Sequence, residues 1–538
     1  MALENIYNIA KKLSIDEKYV EPYGKYKAKI DYALWDEIKS RDNGKLVLVT
    51  AITPTKAGEG KTTMSIALLE GLRKKNINAV ACLREPSLGP VFGVKGGATG
   101  GGRVSIEPKE DINLHFTGDM HALTSSINLI SAVIDNVIYQ GNELNIDPSK
   151  VVWKRALDMN DRTLREITIA QGSKVNGVER KDGFVITVAS EMMAIMCLAT
   201  SKEDFKTRLG EIIVAYTFDN KPVYVKDLKI TNAIMKLMKD ALNPNIVQTL
   251  ENNPVLVHGG PFANIAHGCN SILETKLALK LADVVVTEAG FGADLGAEKF
   301  LDIKCQEGGL KPNLVVMVAT IRALKMHGGQ DLERIEELNL NALNIGISNL
   351  KQHLENIKKF GMDVVVAINH FETDNEEEIE ALRKWCIENE YRVSFVDGFT
   401  KGGEGCIELA DMVIGALNDN KSSYHPLYSR KEMTIKEKIE KICKEIYRAD
   451  KVTYSLKAEE DIKKYVELGC EDYYICMAKT PQSFSDDPKL LNTPRGFTIN
   501  IREVNLSNGA KFIIPLTGSI LTLPGLPKVP AAVKMEDE

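Results

Sequence analysis

The stretch of sequence that decides the fold is an apolar run followed closely by a turn rich in glycine and lysine. The run is Leu46-Val47-Leu48-Val49, and the turn reads Thr53-Pro54-Thr55-Lys56-Ala57-Gly58-Glu59-Gly60-Lys61-Thr62-Thr63. The pattern predicts a buried strand, a tight turn and a helix that begins near Thr62. Backbone N–H groups of such a turn and the helix N-terminus bind phosphate, Lys61 adds a positive charge, and a hydroxyl can reach Mg²⁺. We therefore predict nucleotide binding by residues 53–62.

The spacing of this loop is a variant of the common phosphate-loop pattern. Thr55 stands where the first glycine of GxxxxGKT is expected, and the segment from Lys56 to Thr62 resembles variant loops that carry an extra lysine. An ordinary glycine-rich turn is the alternative, but it would have to place Gly58, Gly60 and Lys61 behind a strand by chance.

Length, charge and cysteine content limit the possible classes of protein. The chain has 538 residues, and single cores stop growing near about 250–300 residues, so we expect several domains. A net charge of −6 without long basic runs argues against nucleic acid as the main partner. We expect no signal peptide and no membrane partner, because the most apolar window, Met192–Ala199, is too short to span a bilayer. The nine cysteines form no C-x-x-C pair, which favours reduced thiols in a cytoplasmic protein.

Short apolar runs alternate with helical patterns along the chain, which predicts an α/β fold with a doubly wound, mainly parallel sheet. The predicted strands of this sheet are Leu46–Thr50, Ala79–Leu83, Val255–His258, Val284–Thr287, Leu314–Ala319, Val364–Ile368 and Val393–Val396. A long insert has strand candidates of its own at Val151–Lys154, Phe184–Val188, Ile212–Tyr216 and Val223–Val225. We predict a discontinuous core (residues 1–103 and 250–418), an inserted α/β domain (104–249) and a smaller C-terminal α+β domain (419–538) with a helical stretch at Met433–Ala449.

Two further motifs are predicted to open beside the phosphate loop. Arg84 and Glu85 follow the strand Ala79–Leu83, at the edge where parallel strands place ligands. A guanidinium there can bind a carboxylate or a phosphoryl group in transfer, although a packed surface arginine is the plainer alternative. The run Gly96–Gly102 is too rich in glycine to form a core, so we predict a loop that closes over substrate, with a flexible connector as the alternative.

Four polar tracts complete the set of candidate site segments. Asp111–His121 lacks the Glu-x-x-His spacing of a helical metal site, so we favour a polar pocket wall over a metal cluster. His258–Gly268 and Glu288–Asp294 follow predicted strands and indicate a small-molecule pocket, or else satisfied core residues. Val318–Gly329 runs from a strand into a turn with three potential cations, which suits an anionic ligand or a solvated surface.

Together these segments resemble the formate–tetrahydrofolate ligase family over essentially the whole chain, from Gly24–Ile30 to Pro524–Lys528. Val318–Gly329 fits one family signature fully. Gly93–Arg103 fits a second signature except at Thr99 and Arg103, where the family usually has alanine and tyrosine. The resemblance implies ATP-dependent joining of formate to N10 of tetrahydrofolate through formyl phosphate, with ADP and phosphate released, in one-carbon metabolism.

The resemblance also implies roles for single residues. Lys61 and Arg84 would lie on either side of the transferring phosphoryl group, and Thr62 would be the hydroxyl nearest the Mg²⁺ that accompanies ATP. Glu85, Gly96 and Gly97 would belong to the substrate loop that keeps water from the reactive anhydride. A monovalent cation such as K⁺ and a homotetrameric assembly are expected on the same ground.

The folate pterin in the family lies between two aromatic rings, which match Phe371 and Phe399 here. Phe399 stands where tryptophan is common, and His370 and Glu372 replace the usual arginine and proline beside Phe371. A phenyl ring offers less stacking area than an indole, so the substitution predicts weaker folate binding. Ordinary core aromatics are the alternative interpretation of both rings.

Three other readings of the sequence stay open. The loop alone would also suit an ATP-dependent carboxylate-activating enzyme of dethiobiotin-synthetase type. It would suit a nucleotide-dependent switch or assembly protein as well, and slow ATP turnover indifferent to formate and folate would favour that class. The third is a family member that binds nucleotide but has lost ligase activity through the changes around Phe371 and Phe399.

Overall fold

The structure is a computed structural model that describes residues 2–56, 59–95, 97–518 and 520–535. Ala57 and Gly58, predicted to bind nucleotide, and Gly96, predicted for the substrate loop, lie outside the described residues.

The described residues of the first part of the chain form six strands and five α-helices. The strands are β1 Val20–Pro22, β2 Ala28–Ile30, β3 Lys45–Ala51, β4 Ala79–Leu83, β5 Gly100–Gly101 and β6 Val104–Glu107. The helices are α1 Ile6–Lys11, α2 Leu34–Ile38, α3 Lys61–Lys74, α4 Leu88–Pro90 and α5 Lys109–Asn113.

The middle of the chain forms small sheets beside four helices. The strands are β7 Ile146–Val151, β8 Arg155–Ala156, β9 Ile167–Ile169, β10 Arg180–Asp182, β11 Phe184–Val185, β12 Ile213–Thr217 and β13 Pro222–Tyr224. The helices are α6 Asp119–Tyr139, α7 Glu191–Leu198, α8 Lys202–Gly210 and α9 Thr231–Leu237.

The chain then returns to the main sheet. The strands of this part are β14 Asn245–Thr249, β15 Pro254–Val257, β16 Val284–Glu288, β17 Leu314–Ala319, β18 Val364–Asn369 and β19 Arg392–Val396. The helices are α10 Ile272–Leu281, α11 Gln306–Gly308, α12 Ile321–His327, α13 Leu340–Lys358, α14 Glu376–Glu388, α15 Gly398–Lys401 and α16 Ile407–Asp419.

The last part of the chain adds two small sheets. Its strands are β20 Lys451–Tyr454, β21 Tyr474–Ile475, β22 Thr498–Ile501, β23 Glu503–Ser507 and β24 Phe512–Leu516. Its helices are α17 Ile435–Ile442, α18 Leu456–Glu467 and α19 Ala531–Lys534. The predicted helix Met433–Ala449 is observed as α17 followed by a π-helical turn, Cys443–Tyr447.

A twelve-stranded sheet forms the centre of the molecule, with the order β1-β2-β14-β15-β4-β16-β3-β17-β18-β19. Strand β6 also pairs with β14, and β5 pairs with β6. Every pairing from β15 to β19 is parallel, whereas β1, β2, β6 and β14 pair antiparallel. All seven predicted strands of this sheet are present, with ends that differ by at most one residue. The mainly parallel α/β fold is confirmed.

Strand β3 is buried on both of its faces. Leu46 and Leu48 belong to one apolar cluster, which includes residues of α10 and α13, while Val47 and Val49 belong to another, which includes residues of α3 and α16. Because side chains alternate along a strand, this arrangement requires helices on both faces of the sheet.

The middle segment differs from its prediction at both ends and at two strands. We predicted an inserted domain over residues 104–249, but β6 and β14, at its two ends, belong to the central sheet. The small sheets of the middle segment lie between these two strands in sequence. The predicted strand Phe184–Val188 is observed as a strand only over β11, Phe184–Val185, and continues into a 3-10 turn, Thr187–Ala189. The predicted strand Val151–Lys154 is wrong apart from Val151. Beyond β7 the chain turns so that the buried Trp153 indole donates a hydrogen bond to Ile127 O (3.1 Å), while Val152 and Lys154 are exposed.

Helix α6 has the length and composition of a helix that could cross a membrane. Within this fold, however, its residues Leu123, Ile127, Ile130 and Ile134 are fully buried and pack together with apolar residues of the middle segment. Such a stripe, repeated every three to four residues, is typical of a helix that packs on a core.

Described residues of the C-terminal part belong to the apolar clusters of the other two parts. Ile435, Ile439 and Ile513 join the cluster that contains Leu46, whereas Phe512 and Leu516 join the cluster of the middle segment. The segment predicted as a third domain, residues 419–538, therefore packs against both of the other parts of the chain.

Helices α12 and α13 cross so closely that their contact requires glycine. A Cβ atom added at Gly346 would lie 1.8 Å from Leu324 O, and one added at Gly328 would lie 1.8 Å from Ala342 O. Since α12 begins directly after the carboxyl end of β17, this contact fixes one side of the site described below.

We predict that Gly346→Ala lowers the free energy of unfolding by about 1–3 kcal/mol, because the added methyl forces the two helices apart. Gly415→Ala in helix α16 is the matched control, since no atom lies within 4 Å of its added Cβ; it should stabilise by about 0.5–1 kcal/mol. Urea denaturation followed by circular dichroism measures both, and an unchanged midpoint for Gly346→Ala would contradict the close helix contact.

Candidate active site

The predicted site segments meet at the carboxyl edge of the parallel sheet. The predicted phosphate loop, residues 53–62, follows β3, and Arg84 and Glu85 follow β4. Glu288 ends β16, which pairs with both of these strands. Neighbouring parallel strands bring their carboxyl ends together, and ligands of open α/β sheets bind there.

The described part of the phosphate loop turns into helix α3 at Gly60. Gly60 has φ +73°, and a Cβ there would lie 2.6 Å from Asn369 Nδ2, so both its conformation and its neighbour require glycine. Glu59 Oε1 accepts the Thr55 N–H (2.6 Å), and Asn369 Nδ2 donates to Glu59 O (3.2 Å). A carboxylate of the loop thus accepts a hydrogen bond from an amide of the same loop.

Thr53 fixes the base of the loop instead of facing a ligand with its hydroxyl. It is fully buried, its Oγ1 lies 2.9 Å from His353 Nε2, and Asn349 Nδ2 donates to it (3.1 Å). His327 Nε2 donates to Thr53 O (2.9 Å), and His327 Nδ1 accepts from the Asn492 N–H (3.2 Å). Burial lowers the pKa of His353 to about 4, so this anchoring imidazole is neutral at pH 7.

An inner cavity of about 100 Å³ lies between the start of α3 and the segment after β4. It is lined by Thr62, Arg84, Glu85, Pro86, Ser87, Pro90, Val91, Gly97, Ala98, Val188, Gly260, Phe262 and Glu288. Four residues predicted from sequence, Thr62, Arg84, Glu85 and Gly97, are therefore brought together around one small enclosure.

Glu288 connects the two sides of the inner cavity. Its Oε2 accepts from Thr62 Oγ1 (2.8 Å), and its Oε1 pairs with Arg84 Nε at 3.3 Å. Burial lowers the pKa of Lys61, against the opposing influence of Glu59 and Glu288. The lining of the cavity thus combines the Arg84 guanidinium with the Glu288 carboxylate and the Thr62 hydroxyl, and Lys61 precedes Thr62 at the start of α3. This arrangement is suited to phosphate and to a cation that accompanies it.

A buried ion pair, Lys29–Asp119, influences the charge state of Glu85. Lys29 Nζ lies 2.7 Å from Asp119 Oδ1, with neither side chain more than 1% exposed, and Asn245 Nδ2 donates to Asp119 Oδ2 (2.9 Å). Burial, followed by the neighbouring Asp119 charge, raises the pKa of Glu85 well above its ordinary value. Asp119 belongs to the tract Asp111–His121, which was interpreted above as a polar pocket wall. In the structure it pairs with Lys29, and its charge contributes to the raised pKa of Glu85.

The two predicted folate rings follow neighbouring strands. Phe371 comes after β18 and Phe399 lies in α15 after β19, and these strands pair in parallel, with Asn369 opposite Val396. The Arg322 guanidinium lies over the Phe371 ring at 4.6 Å. The Phe399 ring lies against Gly102, whose added Cβ would approach it to 2.7 Å, and Phe399 is 54% exposed. Each ring is therefore supported on one side.

A larger, outer cavity of about 850 Å³ opens on the other flank of the phosphate loop. Pro54, Thr55 and Lys56 form its loop side, and its other walls come from residues 326–334 and 482–491. No residue of the C-terminal part was predicted for the site, because Gln482 and Leu491 carry no local motif.

Two sequence interpretations need correction. Of the three potential cations in Val318–Gly329, Lys325 is buried and paired with Glu378 (3.0 Å), and burial lowers the pKa of His327. Arg322 instead lies over the Phe371 ring. His258 does not line the inner cavity, since its ring bonds Ser271 Oγ and Ala241 O (both 2.7 Å) in the core.

Glu288 and Phe262 are among the site residues that sequence reasoning did not single out. Both stand in polar or glycine-rich tracts noted above, after strands β16 and β15. An acid at the end of a strand next to the phosphate-loop strand is the signal that could have identified Glu288.

A sequence model of formate–tetrahydrofolate ligase matches residues 1–538, the whole chain. The chain therefore belongs to the formate–tetrahydrofolate ligase family.

Proposed function

We propose that this enzyme joins formate to N10 of tetrahydrofolate, with ATP converted to ADP and phosphate through a formyl phosphate intermediate. The observation that supports this mechanism most is the inner cavity, where the start of α3, Arg84 and the segment after β4 enclose about 100 Å³. That space suits a small acyl phosphate much better than a larger carboxylic acid.

The first step is attack of a formate oxygen on the γ-phosphorus, with cleavage of its bond to ADP. Lys61 and Arg84 supply positive charge to the phosphoryl oxygens, which matters more in phosphoryl transfer than covalent help. Thr62 Oγ1 and the Glu288 carboxylate are the oxygen donors that would hold Mg²⁺, and oxygen donors suit this hard cation. When bound, Mg²⁺ would neutralise charge on the phosphate oxygens.

The second step is attack of the N10 amine on the formyl carbon, with release of phosphate. Formyl phosphate also reacts with water, so the cavity must exclude solvent while the amine approaches. Pro90, Val91 and Phe262 give part of the lining an apolar character, which favours the amine over water as the attacking group.

The outer cavity is the proposed site of the ATP nucleoside. It shares Thr55 and Lys56 with the phosphate loop, and Leu332 and Leu491 supply apolar surface for a base. Its volume of about 850 Å³ is in the range of cofactor pockets, roughly 300–1,000 Å³.

Phe371 and Phe399 are the proposed pterin-binding rings. Their strands end side by side, and the backing by Arg322 and Gly102 described above leaves another face of each ring for a planar ligand. Aromatic stacking of this kind contributes about 0.5–1.5 kcal/mol beyond area burial.

We further propose a cytoplasmic homotetramer activated by a monovalent cation such as K⁺. These three properties rest on the family and the sequence, and no residue is assigned to the monovalent cation. Light scattering at micromolar concentration tests the assembly, and replacement of K⁺ by a bulky organic cation tests the activation.

The function is tested by ADP release with Mg-ATP and K⁺, with formate alone, tetrahydrofolate alone and both together. We expect full turnover only with both substrates, and acid should convert the product to the absorbing methenyl form. ATP turnover indifferent to formate and folate would refute the ligase and favour a nucleotide-dependent switch.

We predict that Lys61→Ala abolishes formyl phosphate formation, a loss of at least about 100-fold, because the phosphoryl group loses one of its two cations. Lys75→Ala, at the other end of α3 and outside the cavities, is the matched control and should retain full activity. Single-turnover conversion of ATP measures the effect. Retained turnover by a folded Lys61→Ala protein would remove this lysine from the mechanism.

We predict that Phe399→Trp tightens folate binding several-fold with little effect on ATP, because the indole offers a larger stacking surface. Phe218→Trp is a suitable control, since Phe218 is also 54% exposed but lies just after β12 in the middle segment. Titration of tetrahydrofolate at saturating Mg-ATP measures both variants. An unchanged or weaker folate constant for Phe399→Trp would contradict the assignment of this ring.

A further inference from the structure

The roof of the inner cavity is the segment after β4, residues 86–95. Pro86, Ser87, Pro90 and Val91 line the cavity, and Val91–Lys95 forms a π-helical turn above it. A roof made of such short turns has few internal hydrogen bonds, so its position depends on what it packs against.

The middle segment holds the first half of the roof. Asp158 accepts hydrogen bonds from Ser87 Oγ (2.5 Å) and from the Leu88 N–H (3.1 Å). An added Cβ at Gly89 would lie 2.4 Å from Asn160 Oδ1, and one at Gly93 would lie 2.7 Å from Asn160 Nδ2. The roof therefore lies directly on residues 158–160.

A second contact comes from the C-terminal segment 522–535, which we name the strap. Helix α19, within the strap, lies against Val91–Lys95. The strap thus contacts residues 91–95 of the roof, whereas Asp158 bonds to Ser87 and Leu88 in the first half.

Two arginines of the middle segment donate hydrogen bonds to backbone carbonyl groups of the strap. Arg165 Nε donates to Leu523 O (2.8 Å), and Arg162 Nη2 donates to Leu526 O. A Cβ added at Gly525 would lie 2.4 Å from Arg162 Nε, which shows that the guanidinium lies directly on the strap backbone. Both arginines follow Asp158 and Asn160 in sequence, so one short region holds both roof and strap.

The strap is attached by polar contacts more than by apolar burial. Leu523 is 1% exposed, but further along Val529 and Val533 are 55% and 57% exposed. Pro524, Pro527 and Pro530 restrict the backbone before helix α19, which lowers the entropy lost when the strap is ordered. Two arginine contacts can therefore decide where this segment lies.

We infer that the strap fixes the roof over the inner cavity and that Arg162 and Arg165 are positioning residues for this purpose. The inference rests on the proposed function for its chemical consequence. When the roof is displaced, water adds to the formyl carbon of formyl phosphate, the carbon–oxygen bond to phosphate breaks, and formate and phosphate are released. ATP is then consumed without formation of 10-formyltetrahydrofolate.

The test compares the unaltered protein with Arg162→Ala/Arg165→Ala. We expect the ratio of ADP to 10-formyltetrahydrofolate to rise at least twofold, and amide hydrogen exchange over residues 88–95 to become faster. Arg162→Lys/Arg165→Lys should restore part of the coupling, because lysine can still donate to the same carbonyl oxygens. Arg162→Ala alone changes an exposed side chain and gives a second variant that leaves the core untouched.

Arg41→Ala is the matched control, since Arg41 is exposed and precedes β3 at the opposite edge of the sheet. Slower turnover with an unchanged ADP-to-product ratio, or unchanged exchange over 88–95, would overturn the role of the strap. Absence of 10-formyltetrahydrofolate from the unaltered protein would instead refute the proposed function, and the exchange measurement would still decide whether the strap holds the roof.

Discussion

The parallel pairing of β3 with β16 and β17 is the constraint on which the rest of the structure depends. Both faces of β3 are buried and both of its edges are hydrogen-bonded, so the chain can leave the sheet only at the strand ends. The residues that follow β3, β4 and β16 consequently converge at one edge. Glu288 completes this arrangement, because its carboxylate contacts Thr62 after one neighbouring strand and Arg84 after the other.

Charge compensation explains why this edge can hold so many ionisable groups. Burial raises the pKa of Glu59 and lowers that of Lys61, and each of the two partly offsets the shift of the other. The pair Lys29–Asp119 lies deeper, below Glu85. An arriving phosphate would replace carboxylates as the partner of the cations, so the site exchanges one set of ionic contacts for another and does not have to desolvate free charges.

The central strands could be predicted from sequence because burial on both faces leaves continuous runs of valine, isoleucine and leucine. Arg84 and Glu85 could be placed at the site because they directly follow such a run, Thr62 because of the loop motif after β3, and Gly97 because of its glycine-rich segment. Trp153 could not be predicted to turn inward, since its hydrogen-bond partner, Ile127 O, lies on helix α6, earlier in the chain. The same holds for His327: its sequence neighbours suggest a cation, whereas its hydrogen bonds to Thr53 O and from the Asn492 N–H come from distant parts of the chain.

The shared packing of the C-terminal part has a consequence for the order in which the molecule forms. Ile6 and Ile513 belong to one apolar cluster, so the core is built from residues near both ends of the chain. A ribosome releases these residues at very different times, and contacts of such large sequence separation form slowly. Apolar surface of this cluster that Ile513 covers in the folded protein is therefore exposed on the growing chain until β24 has emerged.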